Sequence, residues 1–254
     1  MIPLNTIHCM DCLEGMKQIE NKSIDLVITD PPYNVMINDD IKIKDKVLVR
    51  RSAEFDNTKL DIPVIISNFN RILKDGRSLI IFCSDHQLGE YINEIEKNGL
   101  YYSNTLVWVK NSAPPKFRKN SFINLSEYIA FAHKETNGIK YTFNFKEQGE
   151  MGNVLYFEPC VSFSYGKAVN GTVGEATGHP TQKPSKLIQH LIEITSNEGD
   201  VILDPFMGSG TTAIAAIRSG RQFIGFERER SYFDAAQIRI KKAQEQGKIT
   251  GWFE

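Results

Sequence analysis

An α/β doubly wound sheet is the fold class this sequence predicts, on three observations. Short apolar runs rich in β-formers alternate with segments whose apolar residues recur at spacings of three and four, the pattern of strands joined by amphipathic helices. Several runs, among them 24–30 and 78–84, are apolar on both faces, as in a sheet covered by helices on each side. Near the C-terminus, VILDPFMGSGTTAIAA reads as a buried strand, a glycine turn and the start of a helix in direct succession.

Taken in order, the expected strands are 6–10, 24–30, 78–84, 105–110, 128–134, 200–204 and 222–227, each a short apolar run rich in β-formers. The expected helices are 60–73, 85–99, 184–196, 211–220 and 231–247. Asp85 and Ser231 suit N-caps, because a short side-chain oxygen accepts from first-turn amides. Pro184 suits a first turn, where no amide hydrogen is needed, and Gly99, Gly220 and Gly247 suit C-terminal stops. Two regions break the alternation. Residues 36–57 are polar and charge-rich and are expected to form a mobile loop; 111–178 are rich in Gly, Asn and aromatics, and only SEYIAFAHK is expected to join the sheet. Connections of this length in a compact domain are functional or disordered. The chain therefore reads as one domain, 1–254, with an insertion at 111–178.

With 41% hydrophobic and 24% charged residues, the 254-residue chain is expected to build a sizeable core in a soluble protein. A net charge of −1 announces no polyanion partner for the molecule as a whole, so local charge must carry any such claim. Cys9, Cys12, Cys83 and Cys160 are scattered, which favours reduced thiols and a cytoplasmic protein. Cys9 and Cys12 form a CxxC without a second pair, and no metal is expected. No export signal or membrane span is expected.

Two stretches carry chemistry. VITDPPYNV ends a buried strand in a carboxylate and stiffens the next two residues with prolines, which lock φ and leave carbonyls to accept hydrogen bonds. The glycine turn of DPFMGSGTT lets backbone approach a ligand closely, and the following helix N-terminus offers amides to a negative group. Its letters also fit G-x-G-x-x-A, with Glu227 ending the next strand 19 residues after Gly208, where an acid can bind ribose hydroxyls. A nicotinamide-dependent oxidoreductase is thus a competing reading. Against it, only 27 residues follow Glu227, too few for the second half of a dinucleotide fold, although the missing strands exist upstream. A Walker A reading fails for want of the loop Lys.

TDPPYNV, followed about 175 residues later by DPFMGSGTT with GHPTQKP just before it, resembles the β-class of S-adenosylmethionine-dependent amino-methyltransferases acting on DNA. The resemblance covers nearly the whole chain and implies a Rossmann-like methyltransferase sheet with the catalytic half before the cofactor half. It implies that Phe206, Gly208, Ser209, Gly210 and Thr211, after Asp204, cradle the methionine part of the cofactor, and that Glu227 takes the ribose hydroxyls. Asp11, with the backbone at Cys12, matches the acid that reads the cofactor's adenine, and Lys183 is placed near its carboxylate.

Methylating an exocyclic amine is hard because the nitrogen lone pair is delocalised into the ring. The resemblance implies that Asp30 and the Pro31 carbonyl accept the amine's two hydrogens and localise that lone pair, while Pro32 helps fix the geometry. Tyr33 would offer an aromatic face to a base taken out of the duplex stack. Asp30 in DPPY tilts the target toward adenine N6, with cytosine N4 the alternative; a third reading is a DNA-binding relative without catalysis. Double-stranded DNA is the expected partner, with Lys116, Arg118 and Lys119 in PPKFRKN, and Arg50 and Arg51 in the 36–57 loop, as candidate phosphate contacts. The acids Asp39, Asp40 and Asp45 make a plain solvated face an equal reading of that loop. The family further implies a homodimer and a cognate restriction enzyme. Trp108, in an apolar run, is expected in the core.

Overall fold

The computed structural model describes residues 2–33, 60–111, 122–135, 138, 140–160 and 182–246, and the backbone alone of 41–43, 46–49, 161–164, 167–170 and 247–250. In chain order the elements are β1 (Thr6–Cys9), α1 (Cys12–Lys17), β2 (Ile24–Thr29), β3 (Ile41–Ile43), β4 (Lys46–Val49), α2 (Ile62–Ile72), β5 (Leu73–Cys83), α3 (Asp85–Lys97), β6 (Tyr101–Val109), β7 (Ser126–His133), β8 (Val154–Tyr156), β9 (Val161–Ser164), β10 (Lys167–Asn170), α4 (Ser185–Thr195), β11 (Val201–Asp204), α5 (Thr211–Arg218), β12 (Gln222–Glu227) and α6 (Arg230–Thr250).

Eight strands form one sheet in the order β1-β12-β11-β2-β5-β7-β6-β8. Strand β7 runs against β5 and β6, while the other pairs in this sheet are parallel. The doubly wound α/β expectation is met, and its cause is visible in the two-residue period of the strands. In β5, Ile80 and Phe82 pack with α4 and α5 residues such as Leu187 and Ala213, while Leu79, Ile81 and Cys83 pack with Met16, Phe69 and Ile95 from the helices of the opposite face. Each such fully buried side chain stabilises the fold by about 1.5–3 kcal/mol relative to exposure.

Several boundaries differ from expectation. Strand β5 begins at Leu73 because the polar KDGR stretch continues the pairing: the register jumps between Ile24↔Leu73 and Leu26↔Ser78, and Gly76 takes φ 71° in the bulge. That stretch is held by charge, with Lys74 Nζ 2.8 Å and Arg77 3.1 Å from the buried Asp25 carboxylate. Ser84, rather than Asp85, caps α3, and Pro184 is itself the N-cap of α4. Helix α6 starts at Arg230, so Ser231 lies within it, and it passes through Gly247 to Thr250; one glycine costs about 1 kcal/mol and does not stop a helix. Strand β8 also joins the sheet, alongside β6, beyond the single insertion strand expected. Within 36–57, β3 and β4 pair antiparallel. Trp108 is buried and its Nε1 donates to the Phe157 carbonyl at 2.8 Å.

Candidate active site

The parallel strands all end on one edge of the sheet, so Asp11 after β1, Glu227 on β12, Asp204 on β11 and Asp30 after β2 arrive side by side. They line a cavity of about 280 Å³ at the position where ligands bind in open α/β sheets. Asp11, Cys12, Asp30, Pro31, Pro32, Tyr33, Lys183, Asp204, Phe206, Gly208, Ser209, Thr211 and Glu227 all line it, which brings together every expected catalytic and cofactor residue but Gly210.

The turn after β11 is built by Asp204. One carboxylate oxygen accepts from Thr29 Oγ1 at 2.9 Å and from the Phe206 amide at 3.0 Å; the other accepts from Thr212 Oγ1 at 2.6 Å. Both oxygens of this buried acid thus brace the turn, and burial pushes its carboxyl up to about 6 against those three donors. Gly210 does not line the cavity. It caps α5 with φ 82°, and a Cβ there would stand 3.2 Å from the Ala236 Cβ, so both conformation and packing require glycine. An Arg239 guanidinium nitrogen donates to the Ser209 carbonyl and ties the turn to α6.

Glu227 accepts from the Gly208 amide at 2.8 Å through one oxygen and from the Glu229 amide at 2.7 Å through the other. Burial raises its carboxyl above the usual range, and those amides act against the rise. On the neighbouring strand, Asp11 is the N-cap of α1, a helix too short to read from periodicity; its Oδ1 accepts from the Leu13 amide at 2.9 Å. Cys12 follows in the first turn, where burial and then the Asp11 charge push its thiol up to about 12.

Across the cavity lies a set of charges. Lys183 Nζ is 2.5 Å from Asp30 Oδ2 and 3.2 Å from Glu127 Oε2, and it sits 5.3 Å from the ring centroids of both Tyr33 and Phe82. The Tyr33 hydroxyl donates to Glu127 Oε2 at 3.1 Å, and Lys110 Nζ donates to Glu127 Oε1 at 2.8 Å. Asp30 Oδ1 is out of solvent contact and has no hydrogen-bond partner among the described residues. Burial raises the Asp30 carboxyl, and Lys183 opposes it. Burial also raises Glu127, yet Lys183 and Lys110 outweigh it and hold that carboxyl at about 2. Asp30 and Glu127 in turn overcome burial at Lys183 and lift its ammonium to about 12. Gln87 Nε2 donates to the Pro32 carbonyl at 3.3 Å, which fixes the proline turn from α3.

Glu127 and Gln87 escaped sequence reasoning. Glu127 stands near the start of a strand, where an acid has a dull reading as an exposed edge residue. Lys183, expected near a ligand carboxylate, is the shared counter-ion of Asp30 and Glu127. Arg50, Arg51, Lys116, Arg118 and Lys119 lie outside the described residues. No group of three His, Cys, Asp or Glu suited to a metal ion occurs among the described residues, and none of their helices is long and apolar enough to cross a membrane.

The N6_N4_Mtase family model, described as DNA methylase, matches residues 24–238. The Type II methyltransferase M.HinfI of Haemophilus influenzae is 31% identical over 257 residues, covering 94% of this chain and 69% of its own length. The Type II methyltransferase M2.MboI of Moraxella bovis is 29% identical over 242 residues, covering 92% of this chain and 86% of its own. Among solved structures, the complex of M1.HpyAVI with SAM superposes with a TM-score of 0.67 at 28% identity, covering 92% of this chain and 98% of that one. The cytosine-N4-specific PvuII DNA methyltransferase superposes with a TM-score of 0.69 at 18% identity, covering 95% and 92%, a likeness of fold.

Proposed function

Because the chain belongs to the N6/N4 DNA methylase family, we propose that it transfers a methyl group from S-adenosylmethionine to the exocyclic N6 of an adenine flipped out of double-stranded DNA. The observation that supports this reading most directly is the buried Asp30, whose Oδ1 makes no close, well-aligned hydrogen bond among the described residues, at the rim of a cavity whose other wall is a nucleotide-type glycine turn.

The residues present fit the cofactor. Glu227 lines the cavity with its oxygens held by the Gly208 and Glu229 amides and is assigned to the ribose diol, and Asp11 with the Cys12 backbone to the adenine ring. Phe206, Gly208, Ser209 and Thr211 line the same cavity and are assigned to the methionine portion. When bound, S-adenosylmethionine supplies a methyl group on a positively charged sulfur, an electrophile for a nitrogen lone pair.

The remaining chemistry is the protein's. An ionised Asp30 and the Pro31 carbonyl accept the two amine hydrogens, which turns the nitrogen lone pair toward the methyl donor. Lys183 opposes the burial that raises the Asp30 carboxyl and so favours its ionised form. Tyr33, anchored through its hydroxyl, presents a ring for the base to stack on, and the Gln87 bond to Pro32 holds the turn that carries both. After transfer, Asp30 is the nearest group to take the amine proton. Lys116, Arg118, Lys119, Arg50 and Arg51 are assigned to the DNA backbone, and the 111–178 insertion to choice of sequence. A restriction–modification setting follows the Type II relatives.

Cytosine N4 is the second reading, favoured by the PvuII likeness in fold and disfavoured by the DPPY sequence. One experiment separates the two: incubation with methyl-labelled S-adenosylmethionine and mixed genomic DNA, digestion to nucleosides and chromatography. Label in N6-methyladenosine is expected; label in N4-methylcytosine replaces the target base, and absence of label in DNA refutes the function.

A further inference from the structure

We infer that Glu127 is a positioning residue for methyl transfer, holding Lys183 and Tyr33 where they serve Asp30 and the flipped base; this rests on the function proposed above. Glu127 does not reach the cavity edge by chance. It is the second residue of β7, the reversed strand, so the beginning of β7 lies beside the ends of β5 and β6, with Cys83 and Val107 both paired to Tyr128. Its two oxygens then serve three donors. Oε1 takes Lys110, and Oε2 takes the Tyr33 hydroxyl at 3.1 Å and faces Lys183 at 3.2 Å.

The geometry divides the work of Asp30 between its oxygens. Lys183 stands on the Oδ2 side at 2.5 Å and has a second anchor on Glu127 Oε2 at 3.2 Å. Oδ1 is therefore left for a hydrogen of the amine. Without Glu127, Lys183 has one carboxylate instead of two to bridge and is free to straddle Asp30, covering the oxygen the substrate needs. Tyr33 loses its hydroxyl anchor in the same step, and with it the fixed ring plane. A buried ion set that only held the fold together would be replaceable by apolar packing; this one converges on the acceptor.

Charge supplies a readout that a purely structural role would not move. Asp30 is faced by Lys183 ahead of α4, Glu127 on β7, Tyr33 on its own segment, Cys83 at the end of β5, Tyr91 on α3 and Asp204 on β11, with Lys110 behind Glu127. Glu127 is a like charge that raises the Asp30 carboxyl. Removing that charge lets Asp30 ionise at lower pH, so the acid limb of the methylation profile moves down even as the rate falls.

The test compares Glu127→Gln and Glu127→Ala with the unaltered chain, using duplex DNA found to be methylated and measuring kcat, KM for DNA, cofactor affinity by calorimetry and the pH profile. Misplacing the acceptor and the stacking ring is expected to lower kcat/KM for DNA by about 10²-fold in the Ala variant, with cofactor affinity changed by less than about twofold. The Gln variant, which keeps one acceptor and loses the charge, is expected to retain more activity and to show the acid limb displaced to lower pH. Should the Ala variant fail to fold, the Gln profile decides. An active wild type with a Gln variant of unchanged rate and unchanged acid limb overturns this inference alone. A wild type that methylates no DNA overturns the function and this inference together.

Discussion

Replacing Asp204 by Asn removes a buried negative charge and keeps its shape. Three donors converge on this acid, from Thr29, the Phe206 amide and Thr212. Burial raises its carboxyl from 3.8 to about 6 in the folded chain. The shift of about two units corresponds to ~3 kcal/mol. The folded state holds the proton more tightly than the unfolded one, so this contribution is full below about pH 4, is lost as the pH rises through about 6, and is absent at pH 8. Asn behaves as a permanently protonated acid: its oxygen keeps Phe206 and Thr29, and its amide donates to the Thr212 hydroxyl, which rotates to accept. The Asn variant should therefore be the more stable at pH 8, by up to ~3 kcal/mol, with about 1.4 kcal/mol of that advantage opening between pH 5 and pH 8. Ala strands the Phe206 amide and two hydroxyls and should cost about 3–5 kcal/mol. Urea unfolding of the three chains in steps from pH 5 to pH 8 reads both effects. An Asn variant as unstable as the Ala variant, or a gap between Asn and wild type that stays flat with pH, would refute the assignment of Asp204 as a charged brace.

Three further outcomes are expected. Asp30→Ala should lower methylation by on the order of 10²–10⁴-fold while calorimetry still detects cofactor binding; full activity would sink the acceptor role. Glu227→Ala should weaken the cofactor by roughly 1.5–3 kcal/mol, the worth of hydrogen bonds to a charged group, and an unchanged titration would exclude a ribose contact. Gly15→Ala would place a Cβ 2.4 Å from the fully buried Phe226 ring, so its unfolding midpoint should fall by an amount equivalent to about 1–3 kcal/mol; a wild-type midpoint would mean that α1 can lift from β12 without cost.

Strands such as 24–29 and 222–227 were legible because both faces are buried and their middles are runs of apolar residues. The DPPY and DPFMGSGTT turns were legible because prolines and glycines constrain backbone locally. What stayed hidden was either short or long-range. Helix α1 has six residues and β8 three, too few to set a period. The polar start of β5 is paid in charge by Asp25 on the adjacent strand, a partner 49 residues away from Lys74 in sequence. The pairing of Lys183 with Asp30 spans 153 residues, and nothing near either residue specifies it. Glu127 shows the same limit: its partners come from β6, the DPPY segment and the approach to α4, and only the folded sheet assembles them.

Reversal of one strand also decides where the chain can vary. Strands β6 and β7 close their ladder at Val109↔Ser126, with the Lys110 amide donating to the Leu125 carbonyl, on the edge that holds Asp30. The polypeptide between them thus departs from and returns to a clamped pair on that edge, like a tool held in a chuck. Doubling the length of such an excursion costs only about 0.6 kcal/mol of closure entropy. New recognition surfaces can be fitted there without retooling the machinery that grips them.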